Sequence, residues 1–160
     1  MLSPTLSLQA RALRYLALRE HTRAELERKL APHVADSEQQ AELARVLDHL
    51  SAKGFISEAR VVESTLHARA GKLGGARVLH ELRCKGVGDE ALADAAETLR
   101  DTELERARAV WQRKFGADLA PVALADPAAT AKARARQLRF LAARGFSGDV
   151  ARRVVWDGEE

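Results

Sequence analysis

His80 and Cys84 stand four residues apart, a spacing that places two potential metal ligands on one face of a helix. A closed metal site needs further ligands of this kind, and the sequence offers no second pair to complete one. The pair therefore reads as a structural or surface feature, with no metal expected. Gly71, Gly74 and Gly75 have the glycine density of a phosphate-binding loop. Such a loop follows a strand and carries a lysine at fixed spacing. Neither accompanies these glycines, so they read as a helix–helix turn. The chain also lacks G-x-x-x-x-G-K-[ST], H-E-x-x-H and C-x-x-C. Its acids lie among bases at helical spacing, as in Arg77/Glu81/Lys85 and Glu25/Lys29, the pattern of solvated helix faces. The sequence reads as a protein that is not an enzyme and uses no cofactor.

What remains is positive charge, unevenly spread. The whole chain carries only +3, from 26 basic and 23 acidic residues. From Lys132 to Arg153, seven bases face the single acid Asp149, and from Arg69 to Lys85 five bases face Glu81. Residues 1–57 hold eight bases against seven acids. On a helix, Lys132, Arg136 and Arg139 fall within an arc of about 60°. Such a stripe is either a solvated face or a surface for an anionic partner, and the scarcity of acids speaks for the partner. Phe140 borders it, where an aromatic either stacks on a base or packs on the final helix. Trp111 and Phe115, at i and i+4, read as core anchors. Trp156 fits either a cap on the last helix or a partner contact.

The elements that position these residues are helices. The chain has 160 residues, 46% hydrophobic, 4% aromatic and 31% charged, rich in alanine, leucine, arginine and glutamate. No strand pattern is visible, and the fold class is all-α. Glu81-Leu82-Arg83-Cys84-Lys85-Gly86-Val87 returns as Phe140-Leu141-Ala142-Ala143-Arg144-Gly145-Phe146, with a worn relative at Ala24–Leu30. A helix, a basic residue, a glycine stop, an apolar residue and a second helix form one unit, whose repetition predicts a modular surface rather than a catalytic pocket. Three three-helix repeats are expected, over 10–56, 57–100 and 101–157. Thr22-x-x-Glu25, Ser37-x-x-Gln40 and Thr102-x-x-Glu105 have capping-box spacing, and Asp89, Asp126 before Pro127, and Ser147 are further helix starts. Gly54, Gly86, Gly116 and Gly145 are stops. Expected apolar faces include Leu13, Leu16 and Ala17 in the first helix and Ala135, Leu138, Leu141 and Ala142 in the eighth. The stretch from Ala117 to Pro127 lacks helical signals. Single Cys84, no membrane-length apolar run and no signal-peptide pattern in Met1–Gln9 fit a cytoplasmic protein.

In order and spacing, several segments resemble the RecX regulators of the RecA recombinase. They are Ala12–Leu16 with Arg19–Leu26; Leu47–Leu50 with Gly54-Phe55-Ile56 and Arg60; Arg69-x-Gly71 with Glu81-Leu82-x-x-Lys85-Gly86-Val87; and Phe140-Leu141-x-x-Arg144-Gly145-Phe146-Ser147. The chain departs from the family at Pro32–Asp36, where a Lys/Arg-Gly turn is usual, at Ser57-Glu58 and Val61, and at Ala76, where proline is common. The resemblance implies tandem three-helix repeats in an elongated, curved body that binds in the groove of the RecA–DNA filament, and a monomer is expected. It implies a protein that blocks filament extension or promotes disassembly and so damps ATP hydrolysis, strand exchange and co-protease activity, with single- and double-stranded DNA contacted more weakly or through the filament. By position, Arg69, Lys72, Arg77 and Lys85 are the first partner- or DNA-binding candidates, and Lys132, Arg136, Arg139 and Arg144 the second. A stand-alone helical nucleic-acid-binding module is the alternative.

Overall fold

In the computed structural model, residues 5–118 and 126–157 are described. Among them lie nine α-helices and no strand: α1 Leu8–Leu18, α2 Arg23–Leu30, α3 Ser37–Ala52, α4 Glu58–Arg69, α5 Gly75–Cys84, α6 Asp89–Asp101, α7 Glu103–Phe115, α8 Pro127–Ala143 and α9 Gly148–Asp157. Most of the signal-free stretch, 119–125, falls outside the described residues, as do residues 1–4 of the start. None of the described helices is long and apolar enough to cross a membrane. Two compact units result, one of residues 1–64 and 82–91, the other of 65–81 and 92–160, so that α4, α5 and α6 each contribute to both.

In the first unit, Leu43, Leu47 and Leu50 of α3 close on Leu26 and Leu30 of α2 and on Ala12 of α1, all buried. Val46 is only partly buried, and Ala17 of α1 is exposed, its expected place on the apolar face being taken by Leu8 and Ala12. The Thr22 capping box forms as the spacing requires, with the Thr22 hydroxyl accepting from Glu25 N and the Glu25 carboxylate accepting from Thr22 N. Arg19 completes it with a 2.8 Å ion pair to the buried Glu25. At α3 the expected Ser37 box shifts by one residue. Asp36, in extended conformation, is the N-cap and accepts from Gln39 N at 2.8 Å, while the Gln39 side chain accepts from Ala35 N. The charged Asp is the better cap and displaces Ser37 into the helix.

In the second unit, Ala107, Val110, Trp111 and Phe115 of α7 form a core with Leu141 of α8 and Ala151, Val154 and Val155 of α9. Trp111 and Phe115 are core anchors as expected, and the buried indole donates to Gln137 Oε1 at 2.9 Å. Ala142 is exposed and leaves the core-facing arc to Leu138 and Leu141. Asp126 and Ser147 cap α8 and α9 through Ala128 N and Val150 N. Thr102 stands at the N-cap position of α7, as expected of a helix start, but makes no side-chain capping bond: α6 runs almost directly into α7, and the Thr102 hydroxyl donates back to Thr98 O at 3.1 Å. Asp89 is the first residue of α6 rather than its cap, and the Gly88 N–H before it goes to the Glu58 carboxylate.

The glycine stops are built alike at three places. Gly54, Gly86 and Gly145 have φ of 79°, 80° and 88°. The residue after each donates to the carbonyl of a buried leucine: Phe55 to Leu50, Val87 to Leu82 and Phe146 to Leu141. Each is a Schellman stop, in which a left-handed residue turns the chain and satisfies helix-end carbonyls. Gly116 is different, with φ −59°, and leads α7 into a 3-10 turn at Gly116–Asp118. The Ala24–Leu30 relative has no glycine stop and ends in a 3-10 turn at Ala31–His33 around Pro32.

These stops differ in what surrounds them. Nothing lies within 4 Å of a Cβ placed on Gly54, whereas one on Gly145 would meet Arg77 Cγ at 2.6 Å and Arg77 N at 2.9 Å. Gly54→Ala should therefore cost about 1 kcal/mol of backbone strain, and Gly145→Ala about 1–3 kcal/mol more from overpacking, measured as urea stability. A second expectation concerns acid. Burial holds the His21 imidazole below its ordinary 6.5, outweighing the hydrogen bond to Arg19 O. Burial pushes the Glu25 carboxyl up, but hydrogen bonds from Arg19 and Thr22 N–H prevail and hold it below 4.5. Both groups bind protons more readily unfolded, so their contribution is present above the unfolded values and is lost as pH falls. The urea midpoint should drop between about pH 7 and pH 5, less steeply in His21→Asn.

Candidate functional site

The candidate cations are Arg69, Lys72, Arg77, Lys85, Lys132, Arg136, Arg139 and Arg144, and the second unit brings three of them to one place. The C-terminus of α8 meets the N-terminus of α5 backbone to backbone. Gly74 N donates to Arg144 O at 2.8 Å and Ala76 N to Gly145 O at 3.3 Å. The orphan carbonyls of one helix end thus satisfy free amides at the start of another, with opposite dipole ends in contact. The approach tolerates no side chain: a Cβ on Gly74 would lie 2.1 Å from the carbonyl carbon of Gly145. Arg77, one turn into α5, packs against Gly145, and Arg144 reaches back with Nη1 3.3 Å from Lys72 O. Lys72, Arg77 and Arg144 therefore surround one junction.

The turn that carries Lys72 is held by guanidinium groups. Arg106 of α7 donates through Nη1 to Ala70 O at 2.9 Å and Leu73 O at 2.7 Å, and through Nη2 to Leu99 O at 2.8 Å. Arg113, also of α7, donates to Gly71 O. With Arg144 on Lys72 O, all four consecutive carbonyls from Ala70 to Leu73 accept from an arginine. Burial draws the Arg106 guanidinium below its ordinary range, with the nearby Glu103 charge pulling the other way. A guanidinium stays charged at neutral pH regardless. Arg106 and Arg113 are the residues that sequence reasoning missed. The only signal was their i, i+7 spacing on one face of α7.

The remaining candidates divide. Arg69 is exposed but ion-paired with Glu81 at 3.0 Å. Lys85 is half-buried and belongs to the first unit, where its carbonyl accepts from the Thr22 hydroxyl and Cys84 O accepts from Arg28 at 2.7 Å. There too a glycine fits tightly, a Cβ on Gly86 meeting Ala24 Cβ at 2.6 Å. On α8, Lys132 lies about 18 Å along the helix axis from Arg144. The Arg136 guanidinium lies 5.3 Å from the centroid of the Phe115 ring. Lys132 and Arg139 are exposed, with no hydrogen bond or ion pair among the described residues. Phe140 packs edge-on against Phe115 at 5.2 Å, with Arg144 over its ring at 4.8 Å, so it joins α7 rather than standing free to stack on a base. Trp156 is 47% exposed beneath Arg134, at 5.5 Å. His80 and Cys84 are both exposed, and no group of three metal-ligating side chains occurs among the described residues.

What this arrangement can do is present lysine and arginine charges to an anionic surface from a backbone already fixed. Arg106→Met should leave three carbonyls without their donor and cost about 2–4 kcal/mol, with faster hydrogen exchange at the Gly74 and Ala76 amides. Arg106→Lys should restore only part, since an ammonium cannot reproduce the planar fork. Unchanged exchange in Arg106→Met would show that the clamp does not hold the turn.

Family models match the chain in two places: the RecX third three-helix domain over residues 101–155 and the RecX first three-helix domain over residues 10–39. A regulatory protein RecX of Leptothrix cholodnii is 53% identical over 152 residues, covering 95% of this chain and 89% of that protein. One from Ralstonia nicotianae is 45% identical over 150 residues, covering 94% and 87%. The crystal structure of RecX from Lactobacillus salivarius superposes with a TM-score of 0.72 at 18% identity, covering 94% of this chain and 93% of that one. At that identity the likeness is one of fold.

Proposed function

This chain belongs to the RecX family, and from that premise we propose that it is a negative regulator of RecA that binds within the groove of the RecA–DNA filament. Bound there, it limits filament extension and with it ATP hydrolysis, strand exchange and co-protease activity, acting in the cytoplasm as a monomer. The observation that supports the reading is the junction where Lys72, Arg77 and Arg144 meet on a turn whose carbonyls are already occupied. A cation on a fixed backbone loses less freedom on binding than one on a loose loop, so its attraction for acidic side chains or phosphates is better used. Repeats over 10–56, 57–100 and 101–157 offer similar helical units to a filament of identical protomers. DNA contacts, to single or double strands, add to the binding or arise through the filament.

A second reading, a stand-alone nucleic-acid-binding module, draws on Lys132 and Arg139, exposed on α8 with no polar partner among the described residues. One experiment separates the two. Titrated below stoichiometry into RecA on single-stranded DNA, the chain should suppress ATP hydrolysis, and Lys72→Glu/Arg77→Glu should raise the half-inhibitory concentration about ten-fold. Lys132→Glu/Arg139→Glu should lower DNA affinity and flatten its salt dependence by about one unit for each phosphate no longer neutralised, while inhibition persists. No suppression at concentrations that saturate binding would overturn the regulator reading.

A further inference from the structure

The first unit carries a surface that the basic junction does not account for. Leu6, Arg11, Arg14, Tyr15, Leu18 and His33 line a groove of about 460 Å³ beside α1. That is within the usual range for ligand clefts, about 300–1,000 Å³. Leu18 is 82% exposed and Leu6 42%, two of the few large apolar side chains this open to water. A leucine so placed contributes nothing to its own core. No acidic residue lines the groove among the described residues. Arg14 is exposed with no polar partner among the described residues, and Lys29 stands over the Tyr15 ring at 4.7 Å. Arg11 is partly committed, its Nε donating to Leu6 O at 3.1 Å and its Nη1 lying 3.4 Å from His33 Nε2.

We propose that this groove is a docking site for an acidic segment of a partner protein, one that sets an apolar side chain against Leu6 and Leu18 and a carboxylate against Arg14. The charge complementarity follows from the cationic, acid-free lining, and the apolar anchor from the two open leucines. A nucleic acid fits less well. Base stacking needs an open aromatic face, and the Tyr15 ring has Lys29 over it and the His21 ring 5.8 Å away, while phosphates gain nothing from leucines. Buried apolar anchors ringed by charge are where interface energy concentrates. The inference rests on the regulator reading in taking the partner to be the filament protein, and it adds a protein contact at α1 to the contacts made by the cations of the second unit.

The experiment compares the unaltered chain with Leu18→Asp, Arg14→Glu and Leu18→Met. Co-sedimentation with RecA filaments on single-stranded DNA reads protein docking, and fluorescence anisotropy of a labelled oligo-dT reads DNA binding. Leu18 is exposed, so Leu18→Asp leaves the core intact, which circular dichroism checks. Leu18→Asp and Arg14→Glu should weaken filament binding about ten-fold, keep oligo-dT affinity within about two-fold in the case of Leu18→Asp, and leave Leu18→Met like the unaltered chain. If the unaltered chain fails to co-sediment, the regulator reading falls and this inference with it. If it co-sediments and Leu18→Asp does so equally, the inference alone is overturned. A parallel drop in filament and oligo-dT binding in Leu18→Asp would make the occupant a nucleic acid and overturn it as well.

Discussion

The contact on which the second unit depends is the meeting of two backbones at Gly74 and Gly145. A Cβ on Gly74 would fall 2.1 Å from a carbonyl carbon, a distance no rearrangement of side chains relieves. Because both positions are glycine, helix-end carbonyls and helix-start amides satisfy one another where each would otherwise need water or a cap. The same turn carries Phe146 into the core, with its amide on Leu141 O, and holds Arg144 beside Lys72. Core packing and surface charge are thus set by one close approach. The first unit uses a related device, where the Thr22 hydroxyl and Arg28 take the carbonyls of Lys85 and Cys84 next to Gly86.

Arginine serves two ends in this chain, and charge counting along the sequence cannot separate them. Arg106 is committed to three backbone carbonyls, and Arg60 divides its guanidinium between Glu20 and Gly54 O. Arg19 is fixed on Glu25. The charges of Arg19 and Arg60 are answered by carboxylates, whereas Arg106 keeps its charge but has its donors tied to the backbone. Lys72, Arg77, Lys132 and Arg139 have no such obligation among the described residues. The net charge is only +3 because 23 acids stand against the 26 cations, and Arg19 and Arg60 are among the cations held in such pairs.

Much of the fold was legible because its signals are local. Leucines at i, i+4 and i+7 mark the buried face of α3, the Thr22 box needs only residues three apart, and a left-handed stop all but demands glycine. Local signals are redirected where a neighbour competes: Asp36 displaces Ser37 as the cap, and the Thr98 carbonyl one turn earlier takes the hydroxyl of Thr102 at the start of α7. Of the candidate site, the identities of Lys72, Arg77 and Arg144 were legible but their meeting was not. It depends on hydrogen bonds between residues far apart in sequence, such as that from Arg144 to Lys72. The role of Arg106 was invisible for the same reason, since nothing in α7 announces that its acceptors lie in the turn after α4.

Low net charge with local concentration has a physical consequence for recognition. Generic attraction to DNA grows with the number of phosphates neutralised and is felt on every length of duplex. A chain at +3 overall is weakly drawn to any one polyanion, whereas a few cations on a fixed turn act strongly only where acceptors match their spacing. The arginines that fix the turn also reduce the entropy the displayed cations lose on binding, which favours a partner of regular geometry over a flexible one. In this arrangement the buried and the displayed charges are two halves of one design: those answered by carbonyls hold still the backbone from which the others select.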